Sequence, residues 1–225
     1  VSFSHRETER MSMKLYYHPF SSYCQKAETG FYEKGLEYEA KLIDGSEPVQ
    51  SEFAVLWPIG RFPVLVEGER TVFEATGIIE YLDAQFPDKA RLIPADPLEA
   101  AEVRMWDRFF DNYVGYPQQR LVFAALGREV DDGGARWKAA LDTAYEILDR
   151  RMENREWAVN TFSMADCAAA PHLLYADWSH AIGAQFSNLY AYRQRLITRP
   201  SYARALNEAR PYRHYFPLGA PEGRD

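Results

Sequence analysis

Residues 18–26 read HPFSSYCQK and set Ser21, Ser22 and Cys24 between a short apolar run and a helix-like stretch. Three chemistries are open to such a group. A hydroxyl just ahead of a helix can cap it by accepting one of the N–H groups the first turn leaves unpaired. It can equally donate to an anion drawn to that end of the helix. A cysteine in the first turn can have its thiol pKa lowered and turn nucleophilic. A serine nucleophile would need a base and an orienting acid, and no His-and-acid pair stands nearby in the sequence.

Elements must hold these side chains in place, and the first part of the chain alternates strand-like and helix-like runs. KLYYH reads as a strand, residues 22–34 as a helix ended by Gly35, and YEAKLI as a second strand. A loop-like stretch runs through Trp57. PVLVE and RTVF follow, separated by Gly68 and Glu69 as in a hairpin, and then the periodic run Ile78, Ile79, Leu82, Phe86. The order βαβ, loop, ββα predicts a mixed four-stranded sheet covered by helices.

Three prolines in FPDKARLIPADPLEA mark a linker. Beyond it only helical patterns remain: residues 98–116 with Val103, Trp106, Phe110 and Tyr113 on one stripe, then 136–152, a helix opened by the capping box Ser163 to Asp166, and two short helices over 189–197 and 200–208. Pro117 is expected to break or kink the first of these, and Pro171 to bend the third unless it is short. The expected division is a polar, disordered extension over 1–12, an α/β domain over 13–93, a linker over 94–98, an all-helical domain over 99–210 and an irregular tail over 211–225.

Composition excludes several classes of function. Lys and Arg total 26 against 33 Asp and Glu, a net charge of −7, the wrong sign for tracking phosphates. Two distant cysteines suit free thiols in a reducing compartment. The five histidines form no metal-ligand spacing, and no apolar run is long enough to span a membrane. A soluble cytoplasmic protein with neither nucleic-acid nor membrane partners is expected.

The βαβ-ββα order, the helical second half, and SSYC, GRFPVL, FEATGIIEYL and FSMADCAAAP in that sequence together resemble the cytosolic glutathione transferases over about residues 14–211. The resemblance implies a thioredoxin-like first domain with a cis proline at Pro63, a glutathione cosubstrate and no metal. It also implies a homodimer joined through the first domain's last helix and the second domain's first. In such enzymes a hydrogen bond stabilises the glutathione thiolate, which then attacks a hydrophobic electrophile. A serine at this place sets the chain near the theta-like and zeta-like branches.

Carried over residue by residue, the resemblance makes Ser21 or Ser22 the thiolate donor. Matching Cys24 to the second cysteine of a glutaredoxin-like C-x-x-C favours Ser21, while aligning LYYHP with beta-like bacterial members favours Ser22. Phe62 and Pro63 would pair with the cysteinyl part of glutathione, Arg61 with the glycyl carboxylate and Glu74 with the γ-glutamyl ammonium. Ala75 departs from the pattern, since a serine usually stands there; its backbone N–H and the Thr76 hydroxyl are expected to compensate. Phe109, Tyr113 and Tyr116 are expected to face the electrophile. Cys24 is expected to be packing. The competing readings are a binding or scaffold protein without turnover, to which Ala75 and the polar residues of the first helix lend weight, and below it a glutathione-dependent thiol reductase or isomerase.

Overall fold

A computed structural model describes residues 12–128 and 134–225, so the expected extension lies, apart from Ser12, outside the described residues. The first domain comprises β1 (Met13–Tyr17), α1 (Ser22–Glu33), β2 (Glu39–Leu42), α2 (Val49–Leu56), β3 (Val64–Glu67), β4 (Arg70–Phe73) and α3 (Ala75–Gln85). The sheet order is β2-β1-β3-β4, with β2 parallel to β1 and the other pairings antiparallel. This is the mixed, thioredoxin-like sheet that the sequence predicts. The period of two along β1 builds two faces: Leu15 and Tyr17 pack with Ala27, Phe31, Ile78 and Leu82, whereas Tyr16 packs with Phe53 and Val64.

Helix α2 replaces the expected loop. It is eight residues long and buries only Phe53, so it carries no apolar stripe by which the sequence could reveal it.

The second domain is helical: α4 (Pro97–Phe109), a wide π-helical turn over Phe110–Gly115, α5 (Tyr116–Ala125), α6 (Ala135–Arg151), α7 (Met164–Ser179), α8 (Ser187–Thr198) and α9 (Pro200–Ala209), closed by a 3-10 turn over Arg210–Tyr215. Asp96 starts α4, its Oδ1 accepting the N–H groups of Leu98 and Glu99 at 3.0 and 2.9 Å with Pro97 in the first turn. Of the two outcomes expected at Pro117, a break or a kink, the rod does not break there. The preceding wide turn opens the ladder where the ring lacks an N–H and would strike the carbonyl four residues back. Helix α7 has the expected capping box, with Asp166 Oδ2 accepting the Ser163 N–H at 2.9 Å, and it continues through Pro171 to Ser179.

Helix α1 lies between the two domains, and Cys24 to Phe31 are all buried. That position explains why it is so polar. Gln25 Nε2 donates to the Pro19 carbonyl and the Tyr175 hydroxyl, both at 2.8 Å, and Gln25 Oε1 accepts from the Tyr202 hydroxyl at 3.1 Å. Each of these polar atoms is matched by the second domain or by the turn ahead of the helix, as burial demands. Gly30 lets α3 approach, since a Cβ there would lie 2.9 Å from Ile79 Cγ1.

Candidate functional site

Two adjoining clefts open at the head of α1. One, of about 170 Å³, is polar and charged, lined by Tyr23, Trp57, Arg61, Phe62, Pro63, Glu74, Ala75, Arg108, Asp111 and Asn112. The other, of about 360 Å³, is lined by Phe20, Ser21, Ser22, Tyr23, Phe62, Gln118, Gln119, Val122, Phe123, Tyr175 and the tail residues Tyr215 to Pro217. Tyr23 and Phe62 belong to both, and the two serines stand beside that junction. Among the described residues, no charged side chain lines the second cleft.

Ser21 is the N-cap of α1, with extended backbone, and its Oγ accepts the Cys24 N–H at 3.4 Å. The cap uses a lone pair and leaves the hydroxyl proton free to donate elsewhere. Ser22 is the first helical residue and faces the same cleft. The cap reading and the donor reading are therefore compatible at Ser21. The turn is held from behind: the Tyr175 hydroxyl donates to the Phe20 carbonyl at 3.1 Å, and the Phe20 N–H donates to His18 Nδ1 at 3.1 Å.

Cys24 is fully buried and accepts the His18 N–H at 3.4 Å. Burial pushes its thiol far above the ordinary value, the opposite of what a reactive thiol requires. Cys167 is equally buried, and burial pushes its thiol well up too.

The Phe62-Pro63 peptide is cis, as the family resemblance implies. Glu74 has φ 65° and ψ 129°, a left-handed backbone that a non-glycine residue adopts only when its surroundings impose it. That conformation ends β4, begins α3 and leaves the Glu74 side chain exposed in the polar cleft with the N-terminus of α3 behind it.

Thr76 is placed otherwise than expected. Its hydroxyl accepts from Lys26 Nζ at 2.9 Å, donates to Asp107 Oδ2 at 2.8 Å and touches Arg108, and it does not line the polar cleft. It belongs to a buried ionic cluster beneath the site. Lys26, fully buried on α1, reaches Asp107 Oδ1 at 2.6 Å and both Asp111 oxygens at 2.9 Å. His172 Nε2 lies 3.0 Å from Asp111 Oδ1. Burial works to raise the Asp111 carboxyl, but the Lys26 ammonium and the His172 hydrogen bond outweigh it and hold the group well below the usual carboxylate range. Burial, followed by the Asp111 charge, pushes the Tyr23 hydroxyl up to about 12, so Tyr23 is a neutral donor at pH 7.

The aromatic prediction needs correcting. Phe109, Tyr113 and Tyr116 do not line the apolar cleft. Phe109 packs among Trp106 and Tyr113, Tyr113 is 61% exposed, and Tyr116 meets Trp137 edge to face. A regular helix would keep Tyr113 on the stripe of Val103 and Phe110. The π turn adds a residue, gives the buried place to Val114 and turns Tyr113 outward. The cleft is instead walled by α5 through Gln118, Gln119, Val122 and Phe123, and by the tail. Sequence reasoning missed these residues because it ended the helix at Pro117 and read the tail as irregular. It also missed Tyr23, though its place in Ser-Ser-Tyr-Cys at the first turn was a signal.

Among the described residues, no group of three or more His, Cys, Asp or Glu side chains is placed to hold a metal ion. No helix of the described residues is long and apolar enough to cross a membrane.

A family model for the glutathione S-transferase N-terminal domain matches residues 15–90, and one for the glutathione S-transferase C-terminal domain matches residues 136–200. Protein LigF of Sphingobium sp. is 38% identical over 106 residues, a match spanning 46% of this chain and 41% of LigF. The stringent starvation protein A homolog of Pasteurella multocida is 28% identical over 90% of this chain and 94% of its own. A crystal structure of a glutathione S-transferase from Methylobacillus flagellatus with GSH bound is 28% identical, with a TM-score of 0.72 over 86% of this chain and 98% of that one.

Proposed function

The chain belongs to the glutathione S-transferase family, and from that premise we propose that it activates glutathione at the head of α1 and joins its sulfur to a hydrophobic electrophile held in the apolar cleft. The observation that carries this reading is the junction itself: a charged cleft and an uncharged, aromatic one share Tyr23 and Phe62 beside two serine hydroxyls. A tripeptide with charged ends suits the first and an apolar cosubstrate the second. Arg61 pairs with the glycyl carboxylate, the backbone at cis-Pro63 with the cysteinyl part, and Glu74 with the γ-glutamyl ammonium.

A free thiol of pKa about 8.5 is only a few per cent ionised at neutral pH. Lowering it by two units requires about 2.7 kcal/mol of preference for the anion. One charge-assisted hydrogen bond of about 1.5–3 kcal/mol, helped by a helix N-terminus at about 0.3–1 kcal/mol, is enough. We assign the donor to Ser21, whose oxygen is fixed by the Cys24 N–H while its proton stays free; Ser22 is the alternative. The thiol proton passes to solvent, a sulfur–carbon bond forms, and the electrophile's leaving group departs or its double bond takes up the electron pair. Proximity of the two clefts supplies the rest.

A homodimer in the cytoplasm completes the proposal. Leu98 and Met105 on α4, 81% and 57% exposed, support an interface on that face. The scaffold reading keeps one point in its favour, Ala75, but loses the polar first helix, which interdomain packing now accounts for. Calorimetry with glutathione and conjugation of a generic aromatic halide test the reading: the parent binds and turns over, and a protein that does neither refutes it.

A further inference from the structure

The γ-glutamyl carboxylate is left with the Ala75 backbone N–H at the start of α3 and with no side-chain hydroxyl from that turn. Ala75 brings a methyl group where a serine would bring a hydroxyl, and Thr76 turns its hydroxyl inward to Lys26 and Asp107. We propose that Arg108, from the second domain, supplies the missing contact and anchors that carboxylate. The inference rests on the transferase reading above.

Arg108 is the penultimate residue of α4 and lines the polar cleft with Glu74 and Ala75. Its side chain is 49% exposed, unlike the fully buried Lys26. It is also pre-organised: Nη2 lies 2.6 Å from Asp107 Oδ2 and 2.5 Å from Asp111 Oδ2, and Nε lies 3.1 Å from Asp107 Oδ2. Both aspartates thus hold the guanidinium from below, while Nη1 has no hydrogen-bond partner among the described residues. Nη2 is taken up by Asp107, Asp111 and Thr76 and Nε by Asp107, so the N–H groups of Nη1 are the ones left to meet a carboxylate from a guanidinium already fixed in place.

The charge pattern agrees. Lys26 and Arg108 balance Asp107 and Asp111, so a ligand carboxylate arriving at Arg108 meets no uncompensated anion. Glu74, across the cleft, is left for the ammonium of the same γ-glutamyl group. The sequence hides the pairing because Arg108 stands 33 residues beyond Ala75, in another domain.

The test compares glutathione with an analogue whose γ-glutamyl α-carboxylate is a carboxamide, binding both to the parent, R108Q, R108K and R61Q. The parent should prefer glutathione roughly tenfold, the low end for a charge-assisted hydrogen bond at a half-exposed site. R108Q should bind the two ligands alike, R61Q should keep the preference, and adding A75S to R108Q should restore part of it. R108K keeps a cation over Asp107 and Asp111, so it should fold even if R108Q does not, with the preference cut several-fold by loss of the fork. A purely structural Arg108 would weaken both ligands equally. Undiminished discrimination by R108Q, or by R108K where R108Q does not fold, overturns the inference alone; a parent that binds neither ligand overturns the transferase reading with it.

Discussion

Glu28 should make the stability of this protein fall as pH rises. It lies fully buried on α1, with Oε1 accepting the Tyr38 hydroxyl at 2.9 Å and Oε2 meeting no hydrogen-bond partner within ordinary distance among the described residues. Burial pushes its carboxyl from an ordinary 4.5 to about 8, the Tyr38 hydrogen bond opposing and the nearby Glu208 carboxylate assisting. Between those two values the folded chain holds a proton that the unfolded chain has lost. Stability therefore declines through that window and reaches its full loss above pH 8. The displacement corresponds to a loss on the order of 5 kcal/mol at most. Glu28→Gln keeps the shape and an acceptor for Tyr38 but cannot ionise. Urea unfolding of parent and variant at pH 5, 7 and 9, at one protein concentration, isolates the effect of Glu28 and its immediate neighbours, because titrating groups that do not interact with Glu28 cancel in the difference. The variant should be within about 1 kcal/mol of the parent at pH 5 and more stable by several kcal/mol at pH 9. Parallel pH profiles would refute the reasoning.

Lys26→Met should destabilise the fold by about 3–5 kcal/mol, since it leaves Asp107 and Asp111 buried against a neutral side chain; thermal unfolding measures it. Cys24→Ala should retain conjugation within about twofold, and Cys24 in the parent should resist thiol reagents until the protein unfolds, as its burial dictates. Phe123→Ala should raise KM for an apolar aromatic electrophile several-fold, on the order of 1 kcal/mol of lost contact, while Tyr116→Ala leaves it unchanged, because only Phe123 lines the cleft. Steady-state kinetics with a generic aromatic halide separates the two.

Where residues act through local patterns, the fold could be read from the chain. The alternation along β1, the turn at Gly68 and Glu69 between β3 and β4, and the box of Ser163 and Asp166 each encode their own geometry. One wall of the polar cleft was legible for the same reason: Arg61, Phe62, Pro63, Glu74 and Ala75 sit on two short motifs that the sheet brings together, whereas Arg108, Asp111 and Asn112 come from the second domain. The apolar cleft was not. Its walls come from α5 and the tail, whose places depend on how the helical rod passes Pro117, and a π turn leaves no periodic mark in so short a run. The polar residues of α1 misled for a related reason. Glu28, Thr29 and Gly30 lend weight to a scaffold without turnover until their surroundings are known: Glu28 meets the Tyr38 hydroxyl, Thr29 donates to the Gln25 carbonyl and Gly30 admits Ile79.

The central claim is that a hydroxyl at the head of α1 holds bound glutathione as its thiolate. Ultraviolet titration of the thiolate in the glutathione complexes of the parent, Ser21→Ala and Ser22→Ala tests it directly. The bound thiol of the parent should titrate about two units below the free value of ~8.5, and Ser21→Ala should return it most of the way while changing affinity little. Bound glutathione that titrates like the free thiol in the parent, or a lowered value that survives both substitutions, would contradict the account.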